Sequence, residues 1–384
     1  MNLGFDAKRA FHNKTGLGHY GRTLLRSLAT YFPEHVYYLF NPKRSDLFSF
    51  DDLVQINEIL PSGLLNKKLS SLWRSSWVKQ DLKKYKIQLY HGLSHEIPFN
   101  IHRTGIKSVV TIHDLIHERY PHQYSKIDAC IYTKKFKYAC EHTDAVIAIS
   151  EQTKNDIIEF YKTDSSKIKV CYQSCNEAFG KQVNEAEKQR VKRLYNLPDT
   201  FFLSVGSVIE RKNLLGVCKA INTIKNQLSI PLVVIGNGTA YKQTVKDYIR
   251  KNQLEKHIFF LSDTPEAKQS SSFQNASDFP AIYQMAAAMI YPSFFEGFGI
   301  PVVEALWSKI PVITSNVSCL PEAGGPGAFY VNPSQPEEIA FQMKKILEDK
   351  ELVDKHLQLS WQHVQKFSNF STASSVMDVY KAFI

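Results

Sequence analysis

The sequence predicts an α/β protein of two domains, and three observations carry that reading. The chain has 384 residues, a length that favours two cores over one. Short apolar runs alternate with segments of helical periodicity from end to end. Several of the apolar runs stop at a Gly-rich or charged tip just before a helical pattern, which is where open parallel sheets bind ligands. The clearest case is Tyr291–Thr314, YPSFFEGFGIPVVEALWSKIPVIT, which reads strand, loop, helix, strand. A hydrophobic fraction of 43% is ample for two cores.

Taken in order, Asn2–Asp6 is the first strand. Lys14-Thr15-Gly16-Leu17-Gly18 reads as a loop able to cradle a phosphate, or as a plain tight turn, before a helix over His19–Leu28. Val36–Phe40 is the second strand. Leu65, Leu69, Leu72, Trp73 and Trp77 then recur at helical spacing, while Lys67, Lys68, Arg74, Lys79, Lys83, Lys84 and Lys86 stand against a single acid, Asp81. Two readings stay open for this stretch. It is either a basic amphipathic helix lying on an anionic membrane, or a domain helix with its tryptophans in the core and its lysines solvated. Leu89–Gly92 and Ser108–Ile112 are strands, and His113-Asp114 follow at the second strand's tip. An imidazole beside a carboxylate there can donate or accept at a reacting group. His91, His95 and His117 read as structural or acceptor-side. Asp128–His142 is a helix, Ala145–Ser150 a strand, Glu151–Tyr161 a helix and Ile168–Cys171 a strand. Lys181–Arg193 is polar enough for a linker or a first surface helix.

The second half opens with the strand Phe201–Val205 and the tip Gly206-Ser207-Val208-Ile209-Glu210-Arg211-Lys212-Asn213. Arg211 and Lys212 suit a diphosphate, one as a planar fork and the other as a point charge. Pro231–Gly236 and Lys256–Leu261 are strands, Ser262–Phe279 is expected to be a mobile loop, and Ala281–Ala288 a short helix. In the central stretch, Glu296-Gly297-Phe298-Gly299 lets the backbone approach a ligand closely, and Pro301 fits the first turn of a helix. Free N–H groups and the positive dipole end make that helix start an anion site. Glu296 lies beside it, and Glu304 is expected about two turns into the helix. An anion site between two hydroxyl-binding carboxylates describes a nucleotide sugar. Pro336–Asp349, Glu351–Phe367 and Val376–Ile384 complete the helices.

The E-x7-E spacing within PSFFEGFGIPVVEA resembles the signature of the retaining GT-B glycosyltransferases of family 4, the group 1 transferases. TIHDLIHERYP, AVIAIS-EQTKNDI, VGSVIERKNL and Ser318–Gly325 resemble further segments of that family, so the likeness covers nearly the whole chain. The resemblance implies a GT-B fold, two facing Rossmann-like domains with the active site in the interdomain cleft. The implied domains are 1–180 on the acceptor side, 181–366 for the nucleotide sugar, and a helix in 367–384 crossing back. It implies retaining transfer of a hexose from a nucleoside diphosphate sugar to a growing surface polysaccharide or lipid-linked glycan. The likeness in VGSVIERKNL and TIHDL is to members that include mannosyltransferases using GDP-mannose. His113 and Glu296 are then catalytic, His113 beside the reacting sugar and Glu296 on its hydroxyls. Gly16, Gly18, Ser207, Arg211, Lys212, Phe298 and Gly299 are implied at the donor phosphates, and Glu304 at the ribose. Ser207 stands where many members carry Arg, so Arg211 or Lys212 must supply the charge.

Composition excludes other classes. The net charge of +10 lies mostly in residues 1–180, with 25 Lys/Arg against 18 Asp/Glu. Phosphates, lipid head groups or nucleic acid could answer it, but no nucleic-acid motif accompanies it. Six scattered cysteines form no CxxC pair and suggest a reducing compartment. No signal peptide or membrane span is visible, so the expected location is cytoplasmic, with the inner membrane face as a possible attachment. No DxD motif is present, and neither a metal nor a cofactor is expected. The rival readings are a sugar-nucleotide epimerase of similar fold and a non-catalytic membrane-surface binding protein. A dinucleotide oxidoreductase is disfavoured because Gly16-Leu17-Gly18 and Gly236-Asn237-Gly238 both lack the third glycine of GxGxxG.

Overall fold

A computed structural model of the chain describes residues 1–227 and 230–384. The chain divides into two compact units, Met1–Cys175 with Lys366–Ile384, and Asn176–Gln365.

Unit 1 is built on seven strands: β1 (Asn2–Asp6), β2 (Val36–Phe40), β3 (Ile56–Ile59), β4 (Leu89–Gly92), β5 (Lys107–Ile112), β6 (Ala145–Ala148) and β7 (Ile168–Val170). Their order is β3-β2-β1-β4-β5-β6-β7, and every pairing is parallel. A parallel sheet is covered on both faces, so its strands are apolar on both sides. Alternate residues accordingly feed two separate cores. Val109, Ala145 and Ile147 pack with Leu24, Leu25 and Leu28 of the helix Gly16–Tyr31 and with Val376, Met377 and Tyr380 of the helix Asn369–Lys381. Val110, Val146 and Ala148 pack with Trp73, Leu82, Phe136 and Ile157 on the other face. Ser150 and Ser368 start the helices Glu151–Tyr161 and Asn369–Lys381 by accepting from Thr153 and Ser371 N–H, as N-caps do.

Unit 2 has six strands: β8 (Phe202–Val205), β9 (Leu232–Ile235), β10 (Ile258–Phe260), β11 (Ala288–Tyr291), β12 (Val312–Ser315) and β13 (Phe329–Val331). The order is β10-β9-β8-β11-β12-β13, again all parallel. β9 and β11 are buried at every position. Helices Leu214–Ile224 and Pro336–Glu348 supply Val217, Ile221, Ile339 and Met343 to the core beneath them. Both sheets reverse direction of strand addition once, between β1 and β4 and between β8 and β11. Those two switch points leave a crevice at the strand C-termini.

Four expectations are corrected. The helix expected from His19 begins at Gly16, so Gly16 and Gly18 lie in its first turn rather than in a loop. The segment 262–279, expected as a mobile loop, carries the helices Pro265–Gln269 and Ser271–Gln274 and leads into Phe279–Met285. The helix holding Glu304 begins at Ile300, which puts Glu304 little more than one turn in, not two. The basic stretch is not one helix. It runs Leu64–Lys68, Ser70–Leu72, a π-helical turn Trp73–Trp77, then Val78–Lys84. Trp73 is fully buried there, whereas Leu64, Leu65, Leu69 and Leu72 are exposed.

Candidate active site

The central stretch of the sequence lands on the switch point of unit 2. β8 ends at Val205 and β11 at Tyr291, and the loops leaving them are joined by backbone and side chain. Phe294 N–H donates to the Arg211 carbonyl at 2.8 Å. Asn213, left-handed at φ 58°, donates from Nδ2 to the carbonyls of Pro292 (3.2 Å) and Pro333 (2.7 Å). The same side chain caps the helix Leu214–Ile224 through Gly216 N–H. Gly206 and Gly236, at neighbouring strand tips, approach so closely that a Cβ on Gly236 would lie 1.8 Å from the Gly206 carbonyl oxygen.

Glu296 sits at the centre of this arrangement and is 8% exposed. Its Oε2 is 2.9 Å from Arg211 Nη1, and its Oε1 is 3.6 Å from Lys212 Nζ. Oε1 also accepts from the Tyr291 hydroxyl (2.9 Å) and the Ser293 hydroxyl (3.0 Å). Burial works to raise its pKa, but Lys212 and Arg211 hold it below the ordinary carboxylate value. It is therefore ionised. Lys212 Nζ donates to the Tyr291 hydroxyl at 2.8 Å and lies 5.0 Å from that ring's centroid. Arg211 also donates to the Phe295 carbonyl. The two cations read from the sequence as phosphate groups and the carboxylate read as a sugar group thus form one cluster of net charge +1. The Glu296 backbone is gripped in turn: its N–H lies 3.3 Å from Ser318 Oγ, and its carbonyl accepts from Ser318 Oγ (2.9 Å) and Cys319 Sγ (3.1 Å).

Gly299 precedes the helix Ile300–Trp307 at φ 105°, a conformation that favours glycine. Phe298 is buried, which leaves its main chain as the part that can meet a ligand, and Ser207 is exposed at the β8 tip. Glu304 lies on the same helix, and its Oε2 accepts from the Tyr283 hydroxyl at 2.7 Å. Burial pushes the Glu304 carboxyl up to about 7, against the opposing pull of Tyr283 and Lys212. Its protonated form is thereby favoured over that of an ordinary carboxyl. A pair of hydroxyl donors, such as a ribose diol, would favour its ionised form.

In unit 1, His113 follows β5 and is 5% exposed. Its Nε2 lies 2.9 Å from the Leu93 carbonyl, which can only accept, so Nε2 carries the proton. Nδ1 then accepts from Gln173 Nε2 at 2.9 Å. Burial pulls its pKa down to about 4, so the imidazole is neutral near pH 7. The Tyr20 ring meets it edge-on at 4.6 Å. Gly18 is required where it stands, because a Cβ there would come within 1.9 Å of the Asn13 carbonyl oxygen, whereas Gly16 faces open space.

Tyr291, Ser293, Tyr283, Asn213, Ser318 and Gln173 are the site residues that sequence reasoning missed. Tyr291, Ser293, Asn213 and Ser318 lay inside stretches it singled out. Tyr283 is distant in sequence from its partner Glu304 and left no local sign.

Two parallel-sheet units with charged and Gly-rich tips at their switch points are what a GT-B protein is built from, and the likeness in fold to solved glycosyltransferases gives that class. Residues 15–177 match the model of Glycosyltransferase Family 4, and residues 185–358 match that of Glycosyl transferases group 1. The chain belongs to this family of glycosyltransferases. It is 25% identical over 279 residues to O-antigen chain mannosyltransferase B of Escherichia coli, covering 72% of this chain and 68% of that protein. It is 29% identical over 253 residues to O-antigen chain mannosyltransferase RfbU of Salmonella typhimurium, covering 66% of this chain and 63% of that protein. In fold it is similar to Anabaena Alr3699/HepE, solved in complex with UDP and glucose, at TM-score 0.72 and 14% identity over the whole of both chains.

Proposed function

We propose that the protein transfers a hexose, with retention of anomeric configuration, from a nucleoside diphosphate sugar to a growing polysaccharide or lipid-linked glycan. The observation that carries this reading is the Arg211–Lys212–Glu296 cluster at the β8/β11 switch point, with Glu304 one helix turn into the adjoining helix. Arg211 and Lys212 meet the diphosphate, joined by the main chain at Phe298 and Gly299 and by the Ser207 tip. Glu296 takes sugar hydroxyls and Glu304 the ribose. In the reaction, the bond from the sugar's anomeric carbon to the diphosphate oxygen breaks. The diphosphate leaves with the electron pair, and the acceptor oxygen bonds to that carbon and gives up its proton to the departing diphosphate oxygen. Fixed positive charge at the departing diphosphate lowers the barrier. His113 is the group we assign to the sugar, acting as a neutral imidazole, and Gly18 lets the chain turn closely beside Asn13. Because two side-chain cations serve the leaving group, activity is expected to survive excess EDTA; loss restored by Mg²⁺ or Mn²⁺ would refute that part.

Two relatives named as O-antigen chain mannosyltransferases support mannose as the sugar and a surface polysaccharide as the acceptor; GDP-mannose as its donor is our reading of the likeness in VGSVIERKNL and TIHDL. The test is a thermal-shift panel of UDP-, GDP-, ADP- and CDP-sugars on the full chain. A donor at about a hundred times its dissociation constant stabilises by about 2.7 kcal/mol. A shift with GDP-mannose alone fits the reading, and no shift with any nucleotide sugar overturns it.

For the surroundings of the acceptor we infer a cytoplasmic enzyme resting on an anionic membrane face. Among the described residues no helix is long and apolar enough to cross a membrane. The supporting feature is the exposed group Leu64 (83%), Leu65 (63%), Leu69 and Leu72 beside exposed Lys67 and Lys68. The tryptophans are not that face, since Trp73 is in the core.

A further inference from the structure

The switch point of unit 1 holds a second charged cluster that the transfer chemistry does not use. Asp6 ends β1 and is 3% exposed. Arg74 forks onto it, with Nε 2.9 Å from both carboxylate oxygens, and reaches Glu96 Oε2 at 3.0 Å with Nη1. Lys135 lies 3.3 Å from the other Glu96 oxygen. Two carboxylates and two cations therefore balance. Lys8 and Arg9, the next residues after Asp6-Ala7, add two further positive charges, both partly buried. Among the described residues neither side chain has a carboxylate partner within 4 Å.

The setting is built rather than incidental. Arg74 is carried by the π-helical turn Trp73–Trp77, a local geometry frequent at functional sites. The loop after β4 folds back so tightly that a Cβ on Gly92 would lie 2.0 Å from the Glu96 carbonyl oxygen. His95 in that loop is held at φ 65°, stacked on Phe136 at 4.2 Å. Burial, followed by Arg74 and then Arg9, holds the Lys8 ammonium below its ordinary pKa, with Asp6 and Glu96 opposing. An added anion would relieve that repulsion.

We propose that the tips of β1 and β4 form an anion site, in which Lys8 and Arg9 bind a phosphate or diphosphate group carried by the acceptor. Arg74 is the positioning residue: it fixes Asp6 and Glu96 in a neutral base beneath the site, and Lys8 and Arg9 supply the site's charge. The proposal rests on the transferase reading for the word acceptor, but the binding itself does not. Its residues belong to unit 1, whereas the donor diphosphate group at Arg211 and Lys212 belongs to unit 2. The acceptor would therefore be recognised by its phosphate as well as by its sugar, which fits a glycan still attached to a lipid diphosphate or one with phosphate in its repeat.

The test is calorimetric titration of the full-length protein with inorganic pyrophosphate, farnesyl diphosphate and glucuronate. The wild-type protein is compared with Arg9→Gln, Lys8→Ala/Arg9→Gln, Lys212→Ala and the surface control Lys251→Ala. Each is first checked for an unchanged melting temperature. In Lys212→Ala, pyrophosphate is expected to keep one site, and adding Arg9→Gln should weaken it about tenfold or more, the loss of a charge-assisted contact. Arg9→Gln alone should leave nucleoside diphosphate affinity within twofold. Arg9→Lys, tested should the neutral variants fail to fold, should retain most of the affinity. Equal affinity for pyrophosphate and farnesyl diphosphate assigns recognition to the diphosphate alone, and tighter farnesyl binding assigns it to a lipid-borne one; both support the site. If Lys212→Ala alone abolishes all pyrophosphate binding, the site does not exist while the donor reading stands. If Arg9→Gln weakens binding and Lys212→Ala does not, the site stands and the donor clamp fails. Equal loss in Lys251→Ala, or binding of glucuronate in place of the phosphates, overturns the proposal.

Discussion

At the scale of single residues, the two glutamates should fail in different ways. Glu304→Ala is expected to lose affinity for the donor and for the free nucleoside diphosphate alike, since both contain the ribose. Glu296→Ala is expected to keep nucleoside diphosphate binding and lose kcat, because its contact with the transferred sugar tightens at the transition state. The structure adds a complication to measure. Removing Glu296 also frees Arg211 and Lys212 from their carboxylate, so nucleoside diphosphate affinity should rise rather than merely persist. Binding lost in Glu296→Ala and unchanged in Glu304→Ala would reverse the donor's orientation. Glu304 also gives a pH signature. Its folded pKa of about 7 lies above the ordinary value of 4.5, so between these limits the folded state binds more protons than the unfolded one. Its contribution to stability is therefore present below about pH 4.5 and is lost as pH rises through 7. The stability of Glu304→Gln relative to wild type should rise over that interval, and a flat difference would refute the assignment. Glu296 and Glu304 were legible in the sequence because their spacing is a one-dimensional fact. The partners of Glu296 at Tyr291 and Ser293 were hidden in plain view, since a strand-end tyrosine looks like core. That both His113 ring nitrogens are engaged, by Leu93 and Gln173, depends on three separate loops and could not be read from any one of them.

At the scale of elements, the segment Leu64–Lys84 shows where periodicity misleads. Leucines and tryptophans share one helical spacing in sequence, but the helix breaks at Leu69, whose φ of -108° and ψ of 44° are not helical, ahead of the π turn at Trp73–Trp77. Trp73 enters the core, and its indole N–H finds Asp81 at 2.7 Å, while the leucines before it stay outside. The membrane prediction therefore moves from the tryptophans to the leucines. Flotation with anionic vesicles at low salt should recover the protein, and Leu64→Ser/Leu65→Ser/Leu69→Ser should release it. Each lysine near an anionic surface adds about 1 kcal/mol, so Lys67→Glu/Lys68→Glu should weaken recovery as well. Equal recovery on neutral vesicles would assign these lysines to solvent alone. The helices of 262–279 were missed for a different reason. Their composition is polar, and only their caps announce them: Thr264 before Pro265, and Ser270, each accepting an N–H three residues on. Ala267 and Phe273 are the buried anchors that hold these short turns in place.

At the scale of the whole molecule, the parallel character of both sheets was within reach, because uninterrupted apolar runs between helices point to it, whereas the edge strands Ile56–Ile59 and Phe329–Val331 were not read. As pH falls from 6.5 to 5, acid should weigh more on unit 1 than on unit 2. Unit 1 buries His91, pulled down to about 3 by burial and by His113, and His113, pulled down to about 4. Burial, then the neighbouring His113, likewise lowers His95. Such groups contribute stability that is present above their ordinary value of 6.5 and lost as pH falls through the folded values. In unit 2, Glu304 contributes in the other direction. Calorimetric unfolding at pH 5 should therefore show unit 1 melting first, read by early hydrogen exchange in β4, β5 and the helix Asn369–Lys381; simultaneous exchange in both units would refute this. That last helix has one more consequence. Unit 2 is continuous from Asn176 to Gln365, whereas unit 1 is interrupted by it and lacks Ala373, Val376, Met377 and Tyr380 until residues 369–381 have been made. On the ribosome, then, the second unit has its whole sequence in hand while the first still waits. The His91 ring, buried against the Tyr380 hydroxyl at 2.6 Å, gains that partner only when synthesis has passed residue 380. The half of the molecule translated first cannot close its core until the last helix has been made.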